Sequence, residues 1–552
     1  MTKSVRPQMT FRRMAVTLAF LLAVSGSALA QADRGAIVGT VRDPTGSVVP
    51  NATVAVTNKA TGVSLGTATN SAGEFQALAL LPGDYEVRVT APGFQTAIQS
   101  DIEIHVQSRV EVDITLKVGS TQQQVTVTAS EPLLQTQTAD LGNVVGTQQM
   151  VDLPLNGRRY ADLALLEPGV QKYYAANNPA PDRFSVNGNL EIQNNFMLDG
   201  IDNNSNSENL QEFSVQVVQP PPDALQEFRI QTRTYTAEFG TTAGAVVNAT
   251  IKSGTNQFHG DLWEFLRNDN LDANDFFSNA SGVPIGHYVQ NQFGGTIGGP
   301  IVKNKAFFFF DMQGFRARRA QANQNTVPTP LMQQGNFTEL PYALADSVSG
   351  QSGCVVNNII QSNCMNAVGH NFTALYPAPN IPGPVSVEGQ PGSWTGQPNY
   401  IFQAAVPNDT WSLDGRVDYT INSKNNLFGR YSYYHVSRQD PLWTSDPVPG
   451  NGDFATQYNI HTQQLALGLA TSLRSSLLNE IRGGWNRDYA HSDPIGVALG
   501  TSLAPNYGLT GIPIGPGTAG IPPIDITGLV RLGTSPWRPQ YQISRCGNSS
   551  TT

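Results

Sequence analysis

The sequence predicts an all-β-dominated chain in which a small N-terminal β-sandwich precedes a larger antiparallel sheet of barrel type. Three observations predict it. Charged residues make up only 14% of the 552 residues, while Gly, Asn, Thr and β-branched residues are abundant, a composition that favours strands over helices. Short period-two segments separated by turn residues fill residues 35–118. All six tryptophans, Trp263, Trp394, Trp411, Trp443, Trp485 and Trp537, fall in the C-terminal part, as belts at two bilayer interfaces would require.

The N-terminus reads as a leader. Lys3, Arg6, Arg12 and Arg13 precede an apolar run over residues 14–24, and Ala28-Leu29-Ala30 fits a small-residue cleavage site. The run is too short to span a bilayer as a helix, so residues 1–30 are expected to be a cleaved secretory signal. No other run approaches the ~18 apolar residues of a spanning helix, so any membrane role falls to strands. The net charge of −9 offers no basic stripe for phosphates, which argues against a nucleic-acid partner.

In residues 31–118, GAIVGTVRDPTG, ATVAVTN, GEFQALALLPGDYEVRVTAPGF and RVEVDITL alternate on a period of two. Asp43-Pro44-Thr45-Gly46 and Leu81-Pro82-Gly83-Asp84 are turns, because Pro presets φ and Gly accepts positive φ. With N-S-A-G-E-F and L-P-G-D-Y-E-V, this segment resembles the carboxypeptidase-regulatory-like domain, a carbohydrate-binding-like fold. Peptidase chemistry does not come with it. No H-x-x-E with a later His is present, the seven histidines are scattered, and no nucleophile–base spacing stands out, so no enzyme activity and no cofactor are expected.

Residues 119–130 form a linker holding Gln124, Val125, Thr126, Val127, Thr128 and Ala129, which alternate like a strand without a hairpin partner nearby. An unpaired strand can add itself to the edge of a partner's sheet. The alternative is that it forms the last strand of the sandwich or an inert linker.

Residues 131–255 change character. LGNVVGTQQMVDLPLNGRRYADLALLEPGV has helix-like apolar spacing with Pro and Gly breaks. Further on, Leu198, Asp199, Gly200, Ile201, Asp202 and Asn203 precede AEFGTTAGAVVNATIKSGTNQFHG, and NQFGGTIGGPI follows. These runs resemble the plug and first barrel strand of TonB-dependent outer-membrane receptors that carry an N-terminal regulatory-like domain. That resemblance implies a mixed α/β plug, with residues 124–129 as a TonB box engaging a TonB-type transducer in the periplasm. It also implies an extracellular ligand, and outer-membrane lipid around the barrel. Taken by themselves, Asp199, Asp202, Asn203 and Asn204 read as a turn. EF-hand spacing is absent, so no metal site is expected. Gly240, Gly244 and Gly254 are expected to permit close backbone packing inside the barrel.

From residue 256 to 552, strands are expected near 256–268, 289–302, 306–318, 402–421, 427–438, 459–474 and 477–488. Trp411, Leu413, Gly415, Val417, Tyr419 and Ile421 would face lipid, and Ser412, Asp414, Arg416, Asp418 and Thr420 the lumen. Leu465, Leu467 and Leu469, and likewise Ile481 and Trp485, would face lipid opposite Gln464, Glu480, Arg482 and Asn486. Joins alternate between tight and long, the pattern of outer-membrane barrels. One pair of Phe307-Phe308-Phe309-Phe310 would point to lipid and the other to the plug. Cys354 and Cys364 either close a small loop as a disulfide or remain thiols, and Cys546 is left over. The tail from Ser544 departs from the strand pattern, so a partial barrel, from a shortened receptor, is the expectation. Two functions follow. The leading one is energy-coupled uptake through the outer membrane. The alternative is a secreted or surface carbohydrate-binding or adhesion β-protein, which would be soluble without detergent.

Overall fold

The computed structural model describes residues 34–551 apart from 121–123, 129–140, 174–181, 206–213, 234, 236–238, 241, 281–282, 321–322, 347–352, 382–397, 404, 441–455, 475–476, 496–501, 513–519 and 534–539. The leader and Ala129 lie outside the described residues.

Two sheets form the sandwich. Its strands are β1 (Gly35–Arg42), β2 (Thr53–Asn58), β3 (Ser64–Ala68), β4 (Glu74–Leu80), β5 (Gly83–Thr90), β6 (Thr96–Ile104), β7 (Arg109–Glu111), β8 (Ile114–Thr115) and β9 (Gln124–Thr128). One sheet runs β4-β1-β7 with β8 also on β1, and the other β3-β2-β5-β6-β9. Alternate residues such as Val54, Val56, Val87, Val89 and Ile102 bury between them, so the period-two pattern becomes one core.

The expectation of an unpaired strand at 124–128 is corrected. β9 pairs in parallel with β6, Thr96 opposite Gln124 through Ser100 opposite Thr128. It is the last strand of the five-stranded sheet, and its other edge has no partner strand among the described residues. A sequence scan for hairpins misses such a pairing because parallel neighbours are joined by crossovers rather than tight turns.

The plug is built on β10 (Leu141–Gly146), β13 (Asn195–Leu198), β14 (Ile201–Asp202), β15 (Leu225–Arg233) and β16 (Val246–Ile251), in the order β10-β15-β16-β13-β14, with β11 (Val170–Lys172) and β12 (Phe184–Val186) as a separate pair. The helix-like spacing over 141–170 resolves into a strand, an α-helix over Thr147–Asp152 and a 3-10 turn over Tyr160–Leu166. Phe228, Ile230, Val247, Ala249 and Ile251 line one face of the sheet and bury with Tyr160, Leu163 and Phe196.

The wall is an eight-stranded antiparallel meander of β17 (Leu262–Asn268), β18 (Tyr288–Val302), β19 (Ala306–Ala320), β24 (Ala405–Asn422), β25 (Asn425–Gln439), β26 (Thr456–Arg474), β27 (Leu477–Pro494) and β28 (Gln540–Thr551). Between β19 and β24 lie the short strands β20 (Asn323–Asn325), β21 (Val355–Val356), β22 (Ile359–Ile360) and β23 (Tyr400–Phe402). Three expectations shift here. The first wall strand starts at Leu262 instead of 256. Tyr400–Phe402 pairs with β20 in a loop instead of opening β24. The tail continues the sheet, with Cys546 opposite Asn486 on β27.

Lumenal and outward faces follow the alternation. Ser412, Asp414, Arg416, Asp418, Gln464, Glu480, Arg482 and Asn486 are buried against the plug, whereas Val417, Tyr419, Ile421, Leu465, Leu467, Ile481 and Trp485 are exposed outward. Phe307 and Phe309 are buried, Phe309 within the plug core, while Phe310 faces out. From Ile421 up to Trp411 is ten residue steps. At ~3.3 Å per residue and a tilt near 40° this gives about 25 Å, the height of a lipid-facing band.

The tight joins sit at one end of the wall and the long ones at the other. Two long loops pack on each other through Phe372, Tyr376, Tyr400, Ile521 and Leu532. Cys354 and Cys364 are bonded in the loop between β19 and β24.

Candidate functional site: the plug latch and the cavity above it

Leu198 and Ile201 are paired across a two-residue turn. Asp199 and Gly200 both take positive φ, 51° and 72°, the primed geometry that Asp-Gly adopts readily. The turn reading of the sequence is therefore right about the backbone. It misses the side chain, because the turn is pushed against the wall and Asp199 has no exposed surface.

Asp199 Oδ1 accepts from Arg416 Nη1 at 2.8 Å, and Oδ2 accepts from Arg430 Nε at 2.6 Å. Arg482 Nη1 donates to the Asp199 carbonyl at 3.1 Å. The three arginines come from β24, β25 and β27, each at an inward position of its strand. Each is held by its own wall. Arg416 is bidentate on Asp418, at 2.9 and 3.0 Å, and Arg482 donates to Glu480 at 3.1 and 2.6 Å. Arg430 donates to Gln464 Oε1 at 2.5 Å and to Ser432. Such a planar, forked donor suits a carboxylate delivered from another element. The Asp202 carbonyl extends the contact, accepting from Gln464 Nε2 at 3.0 Å and Asn486 Nδ2 at 2.7 Å. Asn203 is also buried and bonds mainly within the plug, exchanging hydrogen bonds with Val218 N and O at 3.1 and 3.0 Å, while its Oδ1 also accepts from Gln464 Nε2 of the wall at 3.4 Å.

Charge pairs buried this deeply are weak evidence for stability, but removing one partner is costly. The arrangement therefore latches the Asp199 turn to three wall strands with contacts that are specific in geometry. Arg416 and Arg482 were legible as lumenal from alternation. Arg430 and the convergence of all three on one turn were not, because strand neighbours that meet in space lie far apart in sequence.

Gly254 marks a second close approach. A Cβ there would lie 2.3 Å from the Phe308 carbonyl and 2.6 Å from that of Gly299, both on the wall. Gly244 is likewise crowded, by Asn194 and Gln193 inside the plug, whereas among the described residues nothing lies within 4 Å of a Cβ on Gly240, so no close packing is seen at that glycine.

Toward the long-loop end lies a cavity of about 180 Å³ between plug and wall. Gln292, Gln313, Thr410, Tyr434 and Thr462 contribute from the wall, and Tyr160, Asp182, Gln216 and Gln219 from the plug. Asp182 is buried and accepts from Ser214 Oγ at 2.6 Å, Gln219 Nε2 at 3.1 Å and Gln216 Nε2 at 3.2 Å. Burial raises its pKa above the usual carboxylate range, with the Ser214 and Gln216 hydrogen bonds acting against the rise. The lining offers amides, hydroxyls and aromatic rings, a surface suited to binding by hydrogen bonds. Among the described residues, no group of three or more His, Cys, Asp and Glu side chains is placed to hold a metal ion.

The outer membrane β-barrel domain family matches residues 250–550, more than half of the chain. The chain belongs to that family. The family is one of the outer membrane, and the outward Leu, Ile, Tyr and Trp residues of the wall meet lipid there. The carboxypeptidase regulatory-like domain family matches residues 36–117, the sandwich. The barrel-family protein is 27% identical over 363 residues to the TonB-dependent transporter Oar of Myxococcus xanthus, a match covering 62% of this chain and 32% of Oar. It thus spans about a third of that relative's length. Among solved structures, it is similar to the outer membrane transporter YddB from Escherichia coli, with a TM-score of 0.45, 12% identity, and coverage of 74% of this chain and 44% of that one. The ferric enterobactin receptor PfeA from Pseudomonas aeruginosa gives a TM-score of 0.40 at 10% identity, over 75% of this chain and 46% of the other.

Proposed function

We propose that this protein is a TonB-dependent receptor of the outer membrane, taking up an extracellular ligand by energy-coupled displacement of its plug. The observation that carries the reading is the Asp199 turn, a plug element held inside a lipid-facing wall by three wall arginines. A lumen closed by a separately folded, polar-latched body is a gate. The likeness to a TonB-dependent transporter supports the same reading. Ligand enters from the long-loop side into the cavity beside Asp182 and Tyr434. Residues 124–129 engage the periplasmic transducer by strand addition, for which the open edge of β9 is suited. The chain divides into a leader (1–30), sandwich (31–118), linker strand (119–130), plug (131–255) and wall (256–552). No covalent chemistry is assigned to it.

The test has two parts. The chain should fractionate with the outer membrane and need amphiphile to stay monodisperse. Recovery as a soluble, monodisperse protein without amphiphile would instead favour the secreted adhesion protein. Growth of a deletion strain on a nutrient panel should show one uptake defect. Complementation should fail with Val125→Pro/Val127→Pro, because proline removes the N–H groups that strand addition uses.

A further inference from the structure

The sandwich is seated on the plug through a polar face. β15 and β16 turn one face to the plug core. The other face carries Glu227, Arg229, Asn248 and Thr250, all buried, in cross-strand pairs of Glu227 with Thr250 and Arg229 with Asn248. The turn after β6 lies on this polar face. His105 Nδ1 is 2.9 Å from Glu227 Oε2, Val106 N donates to Glu227, and Arg229 Nη1 donates to the Gln107 carbonyl at 2.9 Å. A second contact lies at the short-turn end of the wall, where Asn256 N donates to the Ala60 carbonyl at 3.0 Å and Asn256 Nδ2 to that of Thr61 at 2.7 Å.

Two features make this interface one that opens. The side-chain amide of Asn248 and the hydroxyl of Thr250 lie in this buried face with no protein hydrogen-bond partner among the described residues, so separation exposes groups that water can satisfy. The seat on the plug is made of one side-chain pair, His105 with Glu227, and of side-chain-to-backbone hydrogen bonds. Arg34 at the start of the sandwich adds an ion pair to Glu480 of the wall at 3.6 Å. A polar interface of this kind permits relative domain motion. The wiring adds the second feature. β9 is zipped to β6 along five residue pairs, and β6 runs at Ile104 straight into the His105–Gln107 clasp. A pull on β9 is therefore carried by a backbone ladder to a few separable side-chain contacts.

We propose that the sandwich is a detachable clamp on the plug, released as one folded body when β9 is drawn toward the inner membrane, before the plug itself rearranges. While seated, it pins β15, the strand beside β10, and so holds the plug sheet against extraction. The proposal rests on the reading of residues 124–129 as the strand on which the transducer pulls.

Single-molecule pulling on the full chain in lipid nanodiscs tests it, with a click handle on an unnatural residue at position 128 and the barrel anchored. The handle is covalent, so the test does not depend on transducer capture, which is measured separately by binding of a TonB-type periplasmic domain. The expected trace has an early rupture ahead of plug unfolding. Glu227→Ala/Arg229→Ala lowers that rupture force at least twofold. A disulfide between Ala60→Cys and Asn256→Cys, in a Cys546→Ser background, removes the early event until reductant restores it. An identical first rupture in locked, reduced and Glu227→Ala/Arg229→Ala proteins overturns the clamp. Loss of transducer binding with a normal early rupture overturns only the reading of 124–129.

Discussion

Replacing Asp199 with asparagine should unseat the plug while leaving the wall folded. The carboxylate accepts from Arg416 and Arg430 at 2.8 and 2.6 Å. Asparagine keeps the size but gives only one acceptor, and it turns an N–H₂ donor toward one guanidinium. Breaking one partner out of a buried ion pair costs about 3–5 kcal/mol. Asp418 remains bidentate on Arg416, and Asp414 lies 3.9 Å from Arg430, so the low end, about 3 kcal/mol, is expected. At about 1.4 kcal/mol per decade this is roughly a hundredfold rise in the unlatched fraction. The assay is ion conductance of the protein in planar bilayers as urea is raised, with release of the plug expected ahead of unfolding of the wall. With a denaturant dependence of about 1–3 kcal/mol per molar, the onset of conductance should move down by about 1–3 M. Asp152→Asn, on an exposed plug position, serves as control and should not move it. Equal onsets for wild type, Asp152→Asn and Asp199→Asn would refute the latch.

Further outcomes follow from other parts of the molecule. Leu467→Arg, on the outward face near mid-wall, should cost about 2–4 kcal/mol of folding into vesicles and show as reduced insertion by heat-modifiable gel shift. The Glu227 hydrogen bond raises the pKa of His105, with Glu103 adding to the rise and burial and Arg229 opposing it. The clasp energy from this pair is therefore complete below the ordinary histidine pKa near 6.5 and is lost as pH rises through the raised value. The early rupture force should fall between pH 6 and 8.5, and Glu227→Gln should flatten that dependence. Gly254→Val should lower the urea onset of conductance, because its side chain meets two backbone carbonyls that cannot move aside, and overpacking of this kind costs about 1–3 kcal/mol. Cys354→Ser should leave insertion unchanged but make the loop between β19 and β24 cleavable by protease, since a short disulfide loop contributes about 3 kcal/mol of chain entropy.

The division between what was readable and what was not follows the range of each interaction. Local periodicity determined the strands of the sandwich and wall, because side chains alternate across a strand whatever it pairs with. It also determined which face of β24, β26 and β27 meets lipid, and the split of Phe307–Phe310 between plug and exterior. Join lengths determined which end of the wall carries the loops. Strand ends were less legible, as at Leu262 and Tyr400, where hydrogen bonding to a neighbour sets the boundary. Tail residues Gln540–Thr551 lack the expected aromatic pattern, yet backbone pairing with β27 seats them in the sheet.

Partners far apart in sequence were decided by the tertiary structure alone. Asp199 is 217 residues from Arg416 and 231 from Arg430, and no spacing rule connects them. The same holds for β9 on β6 and for His105 on Glu227. Charge and shape complementarity between separately formed surfaces chooses such contacts, and a linear chain displays each surface without displaying what it will face. The sequence by itself therefore determined the pieces of sandwich, plug and wall and the orientation of the wall to lipid. Folding in three dimensions decided where the plug is latched and what sits beneath it.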